Sequence, residues 1–289
     1  MSAVAQNTAT TTAHYDAVVI GAGVAGLYQV YRVREAGFEV KAYEAGSNVG
    51  GTWYWNRYPG ARFDSEAEIY QYWFSKDMYA KWKPTERFPA QPETEKWLNH
   101  VADLNDLRKY YSFSTRVTAA HYDEVKKLWT ISTDKGDTVT ARFFISCAGM
   151  LSAPLENRFP GQETFKGRIF HTARWPKDDI DWTGKTVGVV GTGATGIQVI
   201  QTIASKVGKL KAFVRTPQYV IPMNNPKYSE ADWDKKIESF EDLKARVQTT
   251  FSGFDYDFAN GSWHDKTPAE RRAIYEYYWK DGSLALWLS

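Results

Sequence analysis

Two stretches of this chain share one layout. Tyr15-Asp-Ala-Val-Val-Ile20 runs straight into Gly21-Ala-Gly-Val-Ala-Gly26, and Thr186-Val-Gly-Val-Val190 runs straight into Gly191-Thr-Gly-Ala-Thr-Gly196. A short β-branched run is the pattern of a strand buried on both faces of a parallel sheet. Gly-x-Gly-x-x-Gly placed after such a strand and opening a helix is the turn that receives a dinucleotide. The first glycine permits the tight turn, the second lets a diphosphate approach the backbone, and the third lets helix and strand pack closely. The diphosphate then rests on the helix N-terminus, where free N–H groups and the helix dipole favour negative charge. Glycines required for packing alone are the competing reading, and the flanking strand and helix weigh against it.

The surrounding sequence continues each unit. Residues 24–36 carry Val24, Leu27, Val30, Tyr31 and Val33 at helical spacing, Gly37 stands where a helix-terminating glycine belongs, and residues 38–43 form a second strand. The second motif opens a helix over residues 194–205, followed by a strand over 210–214. Residues 53–111 are irregular, punctuated by Pro59, Pro84, Pro89 and Pro92; short helices are expected from Ser65, which fits a capping box with Glu68, and from Pro92. Residues 113–122, 128–133 and 138–147 read as strands, the last two joined as a hairpin across Asp134-Lys-Gly-Asp137.

The expected fold is α/β, with two Rossmann-like dinucleotide-binding domains. A flexible tail would occupy residues 1–14, a first domain with a small antiparallel insertion 15–150, a second domain 151–226, and a helical insertion 227–289. Neither half has enough strands to close a doubly wound sheet, so the chain is expected to be the N-terminal portion of a longer protein, ending before the first domain is completed.

Composition narrows the classes. Of 289 residues, 43% are hydrophobic and 24% charged, which is globular, and no apolar run approaches a membrane span. With 36 Lys+Arg against 34 Asp+Glu the net charge is +2, and pairs such as Lys126-Lys127 and Arg271-Arg272 read as solvated surface, so nucleic acid is not an expected partner. One cysteine, Cys147, permits neither an internal disulfide nor a redox CxxC pair, and the first 14 residues lack a secretory signal; both point to the cytoplasm. Cys147 ends the apolar run 143–147 and reads as a core residue. His14, His100, His121, His171 and His264 show no ligand spacing, and no metal is expected. Aromatic residues reach 16%, which suits flat ligands and a ring-rich core equally.

The two motifs differ in charge. The first unit ends its second strand in Glu44, placed to accept hydrogen bonds from ribose hydroxyls. The second ends in Val214-Arg215-Thr216, where an arginine suits a 2′-phosphate, which favours NADPH over NADH; an ordinary surface cation is the other reading. Two such sites imply one cofactor held and one exchanged, FAD and NADPH. Gly50-Gly-Thr-Trp-Tyr-Trp-Asn-Arg-Tyr-Pro-Gly60 would bring backbone and rings against the isoalloxazine, or pack as a Trp-rich loop on the sheet. Asp64 is the carboxylate nearest that loop, or else simply precedes a helix capped by Ser65.

Between the motifs, Phe165-Lys-Gly-Arg-Ile-Phe-His-Thr-Ala-Arg-Trp-Pro176 fits F-x-G-x-x-x-H-x-x-x-W-P. This arrangement resembles the type I Baeyer-Villiger monooxygenases, as do the Gly50 to Arg62 stretch and Arg215-Thr-Pro217. The resemblance implies a flavin-dependent enzyme that uses NADPH, O2 and a C4a-peroxyflavin to insert one oxygen next to a ketone carbonyl, giving an ester or lactone. It implies FAD contacts at Gly21, Gly23, Gly26, Glu44, Thr52, Trp53, Tyr54, Trp55, Asp64, Tyr70 and Val117. NADP contacts would be Arg62, Phe63, Thr192, Gly193, Ala194, Thr195, Gly196, Ile197, Gln198, Arg215 and Thr216. Phe165, Gly167, His171 and Trp175 would belong to the domain linker, or merely pack it. Asp64 would orient the family's active-site arginine, which lies in a Lys-Arg pair expected beyond Ser289. The rivals are an N- or S-oxygenating flavin monooxygenase, which should lack Trp175 at this spacing, and a nucleotide-binding fragment without catalysis.

Overall fold

The computed structural model describes residues 12–155, 159–251, 253–256, 262–283 and 285–286. Most of the expected tail and parts of the expected 227–289 insertion lie outside the described residues. The elements run in the order β1 (Ala13–Ile20), α1 (Val24–Glu35), β2 (Val40–Tyr43), the single turn α2 (Thr52–Trp55), α3 (Lys76–Ala80), α4 (Gln91–Leu104), β3 (Tyr111–Ser112), β4 (Val117–Asp123), β5 (Leu128–Thr133) and β6 (Thr138–Ser146). They continue with β7 (Thr186–Val190), α5 (Ala194–Ile203), β8 (Lys209–Phe213), α6 (Glu230–Glu238), α7 (Phe240–Thr249) and α8 (Pro268–Asp281). The chain divides into two compact units: one ends at Asn56 and resumes over Glu95–Trp175, the other comprises Arg57–Thr94 and the chain from Pro176 onward.

The first unit is built on a six-stranded sheet in the order β3-β2-β1-β6-β5-β4. β3, β2, β1 and β6 are parallel neighbours, while β6, β5 and β4 are antiparallel. The hairpin strands therefore extend the parallel sheet itself through β6, which pairs in parallel on one side and antiparallel on the other. Val18 lies opposite Lys41 and Phe144, and Ala17, Val18 and Val19 are buried on the two faces, as a central parallel strand requires. β1 begins at Ala13, inside the expected tail, because its first residues already pair with β6; the His14 ring nitrogen Nδ1 lies 3.0 Å from Thr140 Oγ1.

Helix α1 buries Leu27 and Val30, each contributing about 1.5–3 kcal/mol of apolar burial. It ends with paired bonds from Gly37 N–H to Arg34 O (2.9 Å) and from Phe38 N–H to Val33 O (3.2 Å), the Schellman arrangement expected from Gly37. The strand expected at 113–122 is two pieces, β3 and β4. Between them Ser114 N–H donates to Gly46 O (2.8 Å) and Thr115 N–H to Glu44 O (2.9 Å), wrapping the chain around the end of β2. Cys147, expected in the core, is half-buried one residue beyond β6, with its N–H still donating to Ile20 O at the end of β1 (2.8 Å).

In the second unit β7 and β8 pair in parallel, Val190 opposite Phe213, and α5 follows β7. The segment Arg57–Thr94, expected with the first domain, clusters with this unit through specific bonds: Trp233 Nε1 donates to Pro84 O (2.7 Å) and Lys236 Nζ to Glu68 Oε1 (2.7 Å). Those bonds also explain why no helix starts at Ser65. Glu68 is drawn to Lys236 and Tyr228 instead of capping, and one turn closes through Glu66 O, which accepts from Ile69 N–H and Tyr70 N–H. A cluster of Ala67, Tyr79, Trp233 and Phe240 forms beneath this segment, with Trp73 against it. Helix α6 opens with a capping box of Ser229 and Asp232, and α8 with one of Thr267 and Glu270. Among the described residues no helix is long and apolar enough to cross a membrane.

Candidate functional site

In the first unit the Gly21–Gly26 loop is locked by backbone. Gly21 adopts φ +101°, which favours glycine, and a Cβ there would overlap Cys147 O. A Cβ on Gly26 would overlap Gly21 O, so the third glycine is the close-packing residue expected. Gly23 has a second reason beyond nucleotide approach: its Cβ would lie 3.2 Å from Gly51 Cα, and a Cβ on Gly51 would lie 2.5 Å from Gly23 Cα. The Gly50-Gly51 pair thus docks backbone to backbone on the first loop, and Gly50 N–H donates to Ala22 O (2.9 Å).

Glu44 stands at the end of β2, 6% exposed. Its Oε2 accepts from Ala22 N–H (2.8 Å) and its Oε1 from Gly46 N–H (2.6 Å). A carboxylate offers about four lone-pair sites, so two further donors, such as a pair of ribose hydroxyls, can be accepted by an already oriented group. Behind it, Tyr54 Oη accepts from Ser47 N–H (3.1 Å) and bonds Ser47 Oγ (2.9 Å), and its ring lies against Gly46. Trp53 and Tyr54 are therefore turned into the protein, while Thr52 and Trp55 are exposed. Val117 lies half-buried in β4, packed on a cluster that includes Val18, Tyr43 and Ile131.

A polar network that the sequence reading missed holds this loop. Arg108 donates to Asn48 Oδ1 (2.5 Å), to Asn99 Oδ1 (2.6 Å) and to Asp103, while Asn48 Nδ2 donates to Asn99 Oδ1 (2.9 Å) and Asn48 Oδ1 accepts from Val49 N–H (2.8 Å). These residues come from a loop, from α4 and from beyond its end, and no local pattern marks them.

In the second unit Gly191 N–H donates to Phe213 O (2.9 Å), joining the loop to the end of β8. A Cβ on Gly196 would overlap Gly191 O, but a Cβ on Gly193 would meet nothing within 4 Å. The face of this loop at Gly193 is open, the space a diphosphate needs. Gly23 and Gly193 are the cap residues of α1 and α5, so at neither helix does a cap side chain compete for the first-turn N–H groups. Arg215 and Thr216 lie exposed just past β8. Ala194 opens α5, with Thr195, Gly196, Ile197 and Gln198 in its first turns. The residues present therefore fit two dinucleotides, one on each unit.

Arg62 belongs to the second unit. Its Nη1 donates to Phe88 O (3.0 Å) and Glu86 Oε1 (3.4 Å); Glu86 Oε2 accepts from Asn225 Nδ2 (2.9 Å), and Asn225 Oδ1 accepts from Phe88 N–H (2.8 Å). One edge of the guanidinium is anchored and the side chain stays 30% exposed. Phe63 is buried and stacks on Tyr70, rings 4.1 Å apart and nearly parallel. Gln198 has both amide atoms engaged: Nε2 donates to Arg62 O (3.0 Å) and Oε1 accepts from Tyr58 Oη (2.9 Å). Surrounding protein raises the Asp64 carboxyl above the ordinary carboxylate range, and no ion pair to it forms among the described residues. Burial likewise raises the Tyr58 hydroxyl. The Asp64 side chain is nonetheless exposed, so a cation from elsewhere can reach a carboxyl whose proton affinity is already raised. Asp64 and Tyr70 fall in the second unit, apart in chain grouping from the other expected FAD contacts.

The stretch from Phe165 to Trp175 folds on itself. The Phe165 ring lies over Gly167, where a Cβ would be 2.6 Å from it; the Arg168 guanidinium lies over Phe170, whose ring is 5.2 Å from that of Trp175. His171 Nδ1 accepts from Ala173 N–H (3.2 Å), capping a short 3-10 turn. The boundary between the units falls directly after Trp175. Among the described residues no group of three or more His, Cys, Asp and Glu could hold a metal ion.

Comparison with known proteins agrees with this geometry. Residues 15–228 match the family described as flavin-binding monooxygenase-like. An acetone monooxygenase (methyl acetate-forming) of Gordonia sp. (strain TY-5) is 56% identical over 96% of this chain and 52% of its own length. A solved structure of an oxidized steroid monooxygenase bound to NADP superposes with a TM-score of 0.92 at 44% identity, covering 95% of this chain and 53% of that one. Another, OTEMO in complex with FAD and NADP, gives 0.91 at 42% identity, covering 95% and 53%. The chain thus spans about half the length of the relatives it matches.

Proposed function

The chain belongs to the flavin-binding monooxygenase-like family, and from that premise we propose that it forms the nucleotide-binding portion of a Baeyer-Villiger monooxygenase that oxidises a small ketone with NADPH and O2 in the cytoplasm. The overall balance is ketone, O2, NADPH and a proton to ester, NADP+ and water. The observation that carries this reading is the pair of glycine loops that end in opposite charges, Glu44 and Arg215, with the Phe165 to Trp175 fingerprint between them. The Gordonia relative, which acts on acetone by its name, favours a small acyclic ketone here. In this reading residues 15–150 belong to the FAD-binding domain, 151–226 to the NADP-binding domain and 227–289 to its helical insertion.

Bound FAD would supply the oxygen-activating chemistry and NADPH the reducing equivalents. The chain's own residues bind and orient. The first turn of α1 offers N–H groups to the FAD diphosphate, and Glu44, fixed by Ala22 and Gly46, accepts from its ribose. The first turn of α5 does the same for NADP, with Arg215 set to pair with the 2′-phosphate. Asp64, with its proton affinity raised, is suited to hold a guanidinium, which would return its carboxyl toward the ordinary range. Trp53 and Tyr54 support the loop, while Thr52 and Trp55 are the exposed members of that quartet, able to face flavin.

The test is a turnover experiment with NADPH, 18O2 and acetone, read by mass spectrometry. Methyl acetate carrying one 18O is expected, with NADPH favoured over NADH. Labelled N- or S-oxides without any labelled ester from acetone or cyclic ketones would replace this reading with the oxygenating rival.

A further inference from the structure

Gln198 lies one turn along α5 from the open Gly193 loop, and its side chain is committed to protein on both atoms. Its amide reads two different groups of the segment at residues 58–62: the Tyr58 hydroxyl donates to Oε1 at 2.9 Å, and Nε2 donates to the Arg62 carbonyl at 3.0 Å. Between those points Gly60 lies so close to α5 that a Cβ would overlap Thr202 Oγ1 and stand 2.6 Å from Gln198 O. Thr202 Oγ1 itself donates to Gln198 O (2.8 Å), which keeps that hydroxyl turned along the helix. Three consecutive features, a hydroxyl, a missing side chain and a carbonyl, thus fasten one segment to one helix.

We propose that Gln198 is a positioning residue for the NADP site: it clamps the Tyr58–Arg62 segment onto α5 and acts on the nucleotide through Arg62 rather than by touching it. The consequence is geometric. The helix whose N-terminus receives the diphosphate also sets the backbone of Arg62, so the cation and the glycine loop keep a fixed spacing. The side chain of Arg62 is then aimed by a second anchor, Phe88 O and Glu86, leaving its other edge exposed. The two bonds fix where the amide points, Oε1 accepting from Tyr58 and Nε2 donating to Arg62 O, so the side chain is oriented by the 58–62 segment. This inference rests on the NADP reading of the second loop.

The experiment compares NADP+ affinity, measured by titration, in the purified protein and in Gln198→Met, Tyr58→Phe, Arg62→Ala and their pairwise combinations. Met keeps the volume and removes both hydrogen bonds. Each is a neutral bond with a modest net effect, so Gln198→Met should weaken NADP+ binding about tenfold and Tyr58→Phe about threefold. Because both act through one segment, Gln198→Met should add almost nothing in the Arg62→Ala background, and Tyr58→Phe almost nothing in the Gln198→Met background. Tryptic cleavage next to Arg57 and Arg62 should quicken in Gln198→Met without any nucleotide present. Gln198→Glu, which still accepts from Tyr58 but cannot donate to Arg62 O, should fall between Met and the parent protein.

Full additivity with Arg62→Ala, together with unchanged proteolysis, would overturn the clamp and make Gln198 a direct contact. If Gln198→Met does not fold, Tyr58→Phe and Gln198→Glu carry the same comparison. If the parent protein shows no saturable NADP+ binding, it is the NADP reading that fails. The proteolysis arm still decides the clamp in that case.

Discussion

Replacing Glu44 by Gln isolates the group on which the first nucleotide site turns. The carboxylate takes one backbone N–H on each oxygen, Ala22 at 2.8 Å and Gly46 at 2.6 Å, in a position 6% exposed. An amide of the same shape has one oxygen, so one N–H keeps a neutral bond and the other meets an NH2 group, donor to donor. A charge-assisted bond contributes about 1.5–3 kcal/mol and a neutral one about 0.5–1.5, so losing one and weakening the other costs about 2.5–4.5 kcal/mol. Both bonds exist before any nucleotide arrives. The loss should therefore appear as a lower urea midpoint of the flavin-free protein at unchanged m-value, and separately as loss of flavin on desalting. A Glu44→Gln variant with the parental midpoint and parental flavin content would refute the claim that Glu44 organises this loop.

Gly193→Ala should leave thermal stability unchanged, since its Cβ enters open space, yet abolish measurable NADP+ binding by filling the diphosphate's approach. Gly196→Ala should instead lower stability by about 1–3 kcal/mol, because its Cβ overlaps Gly191 O; calorimetry separates the two variants. Arg215→Ala should raise the KM for NADPH about 10- to 100-fold with little change for NADH, as loss of a charge-assisted pair requires; equal changes would contradict the 2′-phosphate assignment. The surrounding protein raises the Asp64 carboxyl in the folded chain although the side chain is exposed, so the fold disfavours its ionised form by a small, solvent-screened amount that is present at neutral pH and fades as pH falls through the ordinary carboxylate pKa of 3.8. Asp64→Asn should accordingly raise the melting temperature slightly at pH 7 and by less at pH 3.5, checked by melts across that range; a larger rise at pH 3.5 would contradict the assignment.

The strand, glycine loop and helix of each unit were legible because every instruction is local: β-branched residues, a glycine at the turn, helix formers, then Gly37 in position to close the Schellman bonds. The charges of Glu44 and Arg215 were legible for the same reason, each lying at a strand end whose place the motif dictates. What stayed hidden depends on partners distant in sequence. Ser65 and Glu68 satisfy a local helix rule, yet Lys236 and Tyr228 win the Glu68 carboxylate away from it. The second role of Gly23 needs Gly51, and the support of that loop needs Asn99 and Arg108 brought to Asn48 by α4. Gln198 reads as a ligand residue from its place beside the loop, and its bonds to Tyr58 and Arg62, residues about 140 positions earlier, have no signal in the local sequence.

In the reading proposed above, one polypeptide carries two independent dinucleotide cradles of different preference. Native mass spectrometry of the purified protein with FAD and NADP+ supplied together tests it most directly. A species carrying one FAD and one NADP+ at once is expected, with the NADP+ lost selectively in Gly193→Ala and the FAD lost selectively in Glu44→Gln. Mutually exclusive binding, in which either nucleotide displaces the other, would mean a single site and would refute two cradles.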